Sequence, residues 1–133
     1  MIEKLKLIIK NAYAPYSEYQ VACTIKMNDN SEFTGVNVEN ASFKSGLCAE
    51  QVAIAAAIAE GYSKKDFKEL HVMGSGDSFT YPCFLCRQLL IEFFKLDSKI
   101  YCYNSKGEIK LFTVSQLCPH AFDYEEVSKW LMN

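Results

Sequence analysis

The chain has 133 residues, half of them hydrophobic and 14% aromatic, which is the make-up of one folded domain spanning 1–133 and excludes a disordered protein. Its formal charge is −2 and it carries no long run of like charges, so it lacks an electrostatic footprint for nucleic acid. No apolar run approaches the roughly 18 residues of a membrane span, and lysines break up the N-terminal MIEKLKLIIK, so the expected location is the cytoplasm.

Ile2, Leu5, Ile8, Ile9 and Ala12 recur at helical spacing and predict an amphipathic helix over 2–13, ended by Pro15. Residues 19–27 and 32–38 are rich in strand formers, with the turn cluster Asn28-Asp29-Asn30-Ser31 between them, and read as a hairpin. A loop over 39–47 leads to the alanine-rich CAEQVAIAAAIAE, a helix over 48–60 stopped by Gly61. That helix is apolar nearly all round, which predicts burial. Residues 69–75 read as a strand. Pro82 opens a helix over 83–95, and strands follow over 99–103 and 109–114 around an Asn104–Gly107 turn. Asp123 is placed to cap a last helix over 123–132. Alternation in the middle calls for a parallel pair and the hairpin for antiparallel ones. The expected fold is therefore α/β, a three-layer α-β-α sandwich around a mixed five-stranded sheet.

Six cysteines in a cytoplasmic chain point to metal ligands or buried thiols rather than disulfides. Cys83 and Cys86 stand at i and i+3 at a helix start, and Cys48 opens another helix. Backbone N–H groups and the positive end of the dipole favour thiolate at both places. Three thiolates converging from two helix N-termini suit zinc with one position left open. Cys23 and Cys102 lie within strands as small buried hydrophobes. Cys118 and His120 are the candidates to close the fourth position and make the site structural; His71 reads as a structural residue at a strand start. Glu50 follows Cys48 by two residues in a run that is otherwise almost uncharged, so a solvated face does not explain it. A carboxylate beside such a metal is placed to shuttle protons, as in the zinc deaminases with P-C-x-x-C. Asn37 and Glu39, at i and i+2 near a strand end, can face one side and suit a sugar diol.

These segments resemble the small, homotetrameric, three-cysteine cytidine deaminases. The likeness runs through AYAPYSEYQV (12–21), TGVNVENAS (34–42), CAE (48–50), PCFLCRQ (82–88) and LCPHAF (117–122). It implies zinc on Cys48, Cys83 and Cys86, with Glu50 carrying protons to the pyrimidine ring nitrogen and the leaving amine. It further implies ribose hydroxyls on Asn37 and Glu39, the base held by backbone at Ala49 and Tyr81, and Tyr19 in place of a base-packing phenylalanine. Phe122 matches an aromatic that reaches a neighbouring subunit's site, which implies a homotetramer with shared sites. The implied reaction is hydrolytic deamination of cytidine and 2′-deoxycytidine in pyrimidine salvage.

The chain departs from the family in places. Gln51 stands where arginine usually offsets the thiolate charge. It can donate only neutral hydrogen bonds, which leaves more to the helix dipoles and Arg87. Phe84-Leu85 replace small residues, and Phe43 replaces a tyrosine. Rival readings are a deaminase of another cytosine nucleoside such as a nucleoside antibiotic, a free-base or polynucleotide deaminase, a non-catalytic zinc module, and a thiol redox protein using Cys83 and Cys86. The NVEN segment argues against a free base, which needs no ribose clamp, and the missing basic stripe against a polynucleotide.

Overall fold

The computed structural model describes residues 1–124. Among these, five strands form one mixed sheet: β1 (Val21–Met27), β2 (Glu32–Val36), β3 (Phe67–Gly74), β4 (Lys99–Tyr103) and β5 (Ile109–Thr113), in the order β2-β1-β3-β4-β5. Within that sheet only β3 and β4 run parallel; the other neighbours are antiparallel. Four α-helices of the described residues flank the strands: α1 (Ile2–Ile8), α2 (Ala49–Ala59), α3 (Phe84–Phe93) and the single turn α4 (Val114–Leu117). The expected mixed five-stranded α/β sandwich is what the chain forms.

Alternation along the strands assigns two faces. Cys23, Ile25, Leu70, Val72, Ile100 and Cys102 point to one side and pack with Ala49, Ala53 and Ala57 of α2, Leu90 of α3 and Val114 of α4. Ala22, Met73 and Tyr103 point to the other, where Leu5 of α1 buries completely. His71 also lies on the α1 side, in mid-strand rather than at a strand start. Its Nδ1 meets the Tyr103 hydroxyl at 2.8 Å, its Nε2 meets Glu69 at 2.5 Å, and its ring stacks on Tyr101 at 4.3 Å. It is thus a satisfied core histidine, as expected.

Several elements end earlier than their apolar patterns suggest, because side chains and loops compete for the backbone. The first helix tightens into a 3₁₀ turn at Ile9–Asn11 and stops before Pro15. Tyr13 is drawn away from it: its N–H donates to the Asn37 carbonyl at 3.0 Å and its carbonyl accepts from the Glu39 N–H at 2.8 Å. Strand β1 begins at Val21 rather than at Tyr19. The Tyr19 carbonyl accepts from Asn37 Nδ2, and the Gln20 N–H donates to Ser75 Oγ while only its carbonyl pairs with backbone, accepting from the Ser75 N–H at 2.9 Å. Helix α2 is buried on one side only, with Ala55, Ile58 and Ala59 exposed. Helix α4 was not expected, although Thr113-Val114-Ser115-Gln116 has the capping-box spacing. The Gln116 N–H donates to Thr113 Oγ1 at 3.2 Å, and Gln116 Oε1 accepts from the Thr113 N–H at 2.9 Å. The last expected helix lies, from residue 125 onward, outside the described residues.

Gly35 sets how closely α2 approaches the sheet. It sits buried on β2 directly beneath that helix, and a Cβ there would fall 2.3 Å from the Ala49 carbonyl oxygen and 2.6 Å from the Ala53 nitrogen. Only a residue without a side chain lets the helix lie so near. The obstructing atoms are backbone, so they cannot swing aside. Gly35→Ala is therefore expected to destabilise the protein by about 3 kcal/mol, the upper end of ordinary overpacking costs. The check is a fall in the urea midpoint at unchanged m-value.

Candidate active site

The helix seated over Gly35 brings Cys48 to its N-cap position, and α3 presents Cys83 at its own N-cap with Cys86 one turn later. The three sulfurs lie within 4.8 Å of one another, and no other side chain among the described residues joins the group. Cys48 Sγ and Cys83 Sγ are 3.9 Å apart. That is far beyond a disulfide bond. It matches the roughly 3.8 Å between sulfurs that ~2.3 Å Zn–S bonds set in a tetrahedron. The donor set therefore fits zinc, with Cys48, Cys83 and Cys86 as the residues to hold it. Hydrogen bonding from Cys86, and then from Cys83, lowers the Cys48 thiol to about 6 against the opposing effect of burial. The same contact with Cys48, and then burial, push Cys86 well up. Cys118 is half-buried and His120 exposed; neither belongs to the sulfur cluster.

Glu50, the second residue of α2, is only 4% exposed. Burial, and then the charge of Cys48, raise its carboxyl to about 7, against hydrogen bonds from its own N–H and from Cys86. A carboxyl poised near neutrality beside three thiols can both take and return a proton. Gln51 sits beside the thiols and lines the cavity. Its Oε1 accepts from the Cys48 N–H at 2.7 Å and closes the helix start. Arg87 is occupied elsewhere. Its Nε donates to the Pro82 carbonyl at 2.7 Å, its Nη1 to the Leu117 carbonyl at 2.8 Å, and its guanidinium lies 4.5 Å over the Phe84 ring. It ties the chain entering α3 to the end of α4.

A cavity of about 780 Å³ opens over this chemistry. Its floor includes Cys48, Ala49, Glu50 and Cys83, and its walls include Asn37, Glu39, Tyr19 and Tyr81. Of the residues singled out from sequence, Cys86 lies below in the sulfur cluster, while Arg87 and Phe122 do not line the cavity. Phe122 is half-exposed, and its carbonyl accepts from Gln88 Nε2 at 2.8 Å.

The Asn37–Glu39 wall is held from both sides. Val38 exchanges both backbone hydrogen bonds with Leu47, at 2.9 and 2.8 Å, and bridges Tyr13 on its other edge. Side chains of Asn37 and Glu39 then reach the segment 16–21. Asn37 Oδ1 accepts from the Val21 N–H and its Nδ2 donates to the Tyr19 carbonyl, each at 2.9 Å. Glu39 Oε1 accepts from the N–H groups of Tyr16 and Ser17 at 3.0 and 3.1 Å, and Oε2 accepts from Ser17 Oγ. These bonds, the Ser17 side chain first, hold the Glu39 carboxyl below its ordinary range.

Tyr19 meets Thr80 through their hydroxyls at 2.5 Å, with its ring lying over Gly74 and Gly76, where a Cβ would collide with it. Ser17 and Thr80 line the cavity, yet spacing alone does not single them out. The one available signal was Pro15 followed by Tyr16-Ser17, a turn start whose free N–H groups need an acceptor.

Comparison with known proteins agrees with this geometry. The family model for the cytidine and deoxycytidylate deaminase zinc-binding region matches residues 1–103. The cytidine deaminase of Mycoplasma genitalium is 38% identical over 122 residues, covering 92% of each chain. That of Halalkalibacterium halodurans is 38% identical over 119 residues, covering 90% of this chain and 89% of that one. Among solved structures, cytidine deaminase from Burkholderia pseudomallei superposes with a TM-score of 0.87 at 37% identity, covering 91% of this chain and 95% of that one.

The burial of Glu50 sets a pH dependence. Its carboxyl in the folded chain is raised to about 7 from 4.5, so its contribution to stability is complete below 4.5 and lost as pH rises through 7. In protein stripped of metal, Glu50→Gln should remove this loss. The variant is expected to gain on the order of 3 kcal/mol over the parent between pH 5 and pH 8. Denaturant melts of both proteins at the two pH values test this; parallel pH profiles would refute it.

Proposed function

We propose that this chain, which belongs to the family of zinc-binding cytidine and deoxycytidylate deaminases, hydrolyses cytidine and 2′-deoxycytidine to uridine and 2′-deoxyuridine with release of ammonia. The observation that carries this reading is the placement of three clustered thiols and the buried Glu50 carboxyl on the floor of one cavity. Zinc on Cys48, Cys83 and Cys86 supplies the Lewis acidity that makes water a nucleophile near neutral pH.

The side chains of the chain itself do the rest. Glu50 takes a proton from the attacking water and places it on the pyrimidine ring nitrogen. It then takes the second proton and gives it to the amine, which departs as ammonia. A carboxyl buried beside the three sulfurs is placed for both directions of transfer. Backbone groups at Ala49 and Tyr81 hold the carbonyl and amine edges of the base, and the Tyr19 ring forms the wall against which it packs. Asn37 offers an N–H and Glu39 a carboxylate oxygen to the sugar hydroxyls. Gln51 lines the cavity while its Oε1 fixes the start of α2, and Arg87, outside the cavity, fixes the start of α3.

The chain works as one domain over 1–133, in the cytoplasm and in pyrimidine salvage. Phe122 and its flanking segment, half-exposed beside α3, are suited to reach a second copy, which supports a homotetramer with shared sites. Among the described residues, no helix is long and apolar enough to cross a membrane.

Two measurements test the reading. Ultraviolet monitoring of cytidine should show conversion to uridine that a zinc chelator stops and added zinc restores. Glu50→Ala should retain zinc and lose activity by about 10²- to 10⁴-fold or more, the worth of general acid–base catalysis. Full turnover by that variant would refute the assignment.

A further inference from the structure

Glu39 is not placed by its own strand alone. The segment Ala14–Glu18 makes one helical turn, with the Glu18 N–H donating to the Ala14 carbonyl at 3.0 Å. Pro15 stands near its start and needs no backbone donor there. The next two N–H groups, of Tyr16 and Ser17, have no partner within so short a turn, and both donate to Glu39 Oε1. Glu18 closes the turn in the left-handed region at φ 59, a conformation that costs a residue with a side chain roughly 1–2 kcal/mol. The turn is therefore held by its partners rather than by its own preference.

The Ser17 hydroxyl completes the arrangement. It accepts from the Tyr19 N–H at 3.0 Å, and its single proton is directed to Glu39 Oε2. An ionised carboxylate can only accept, so the direction of this chain is fixed: Tyr19 N–H to Ser17 Oγ, and Ser17 O–H to Glu39. Oε1 carries two N–H bonds and Oε2 one O–H bond, so the carboxylate cannot rotate. What remains is acceptor capacity on Oε2, beside Asn37, whose own oxygen and one amide hydrogen are already committed. The side chain is set for a hydroxyl donor before one arrives, which is the condition for binding without reorganisation.

We infer that Ser17 is a positioning residue for nucleoside recognition, holding the Glu39 carboxylate ionised and in a single orientation toward the sugar hydroxyls. The inference rests on the proposed role of Glu39 as a sugar contact. Ser17 itself touches no reacting atom. Its influence passes through Glu39 and is confined to nucleosides that carry sugar hydroxyls.

The test compares kcat/KM for cytidine and 2′,3′-dideoxycytidine, which lacks the hydroxyls, in the zinc-loaded parent and in Ser17→Ala, Ser17→Thr and Glu39→Gln. Loss of one hydrogen bond to a charged group is expected to lower the cytidine-to-dideoxycytidine ratio about tenfold in Ser17→Ala, through KM rather than kcat. Ser17→Thr keeps the hydroxyl and should restore the ratio. A ratio unchanged in Ser17→Ala but collapsed in Glu39→Gln would overturn the role of Ser17 and leave the sugar-binding role of Glu39 standing. A ratio unchanged in Glu39→Gln would overturn both.

Discussion

The approach of helix α2 to strand β2 over Gly35 is the contact on which the site depends. The missing side chain brings the Ala49 carbonyl against the sheet, and with it Cys48 and Glu50 on either side. The Cys48 thiol and the buried Glu50 carboxyl thus share one rigid origin. Helix α3 arrives independently, within the crossover that joins the parallel strands β3 and β4. Convergence of two helix N-termini concentrates partial positive charge where thiolates collect. Position 51 carries a neutral glutamine that caps a backbone N–H, and Arg87 gives two of its N–H groups to carbonyls. Both residues shape the site mechanically, by fixing where the helices begin.

Much of this was legible in the residues. Cysteines at i and i+3 after Pro82, with Cys48 and Glu50 opening a separate helix, announce convergent sulfur because helix geometry puts those positions on one face. The hairpin, the alanine-rich helix and the β4–β5 pair come from periodicity and turn chemistry. What periodicity could not give were the ends of elements whose backbone groups are taken by side chains. Tyr13, Tyr19 and Gln20 look continuous with their neighbours in pattern, yet each is diverted by a partner far along the chain. The contribution of Ser17 was hidden for the same reason, since its partner is Glu39, twenty-two residues away. The orientation of the Gln51 amide is a local competition between a backbone N–H and the thiols, which composition cannot decide.

A polar network of this kind is expensive if left incomplete and rigid when satisfied. Asn37 and Glu39 answer the backbone of 16–21, the hydroxyls of Ser17 and Thr80 fix Glu39 and Tyr19, and Gly74 and Gly76 clear room for the tyrosine ring. Most of the wall facing the cavity is therefore settled by bonds inside the protein, and only a few donor and acceptor positions remain for a ligand.

Val38 carries this furthest. Its main chain is paired on one edge with Leu47 and on the other with Tyr13, so the residues around it form the middle strand of a miniature sheet at the cavity rim. A middle strand cannot spread without unzipping a neighbour. Any ligand entering past this rim therefore meets a fixed aperture, and widening it would have to start from the outer strands, at Tyr13 or Leu47.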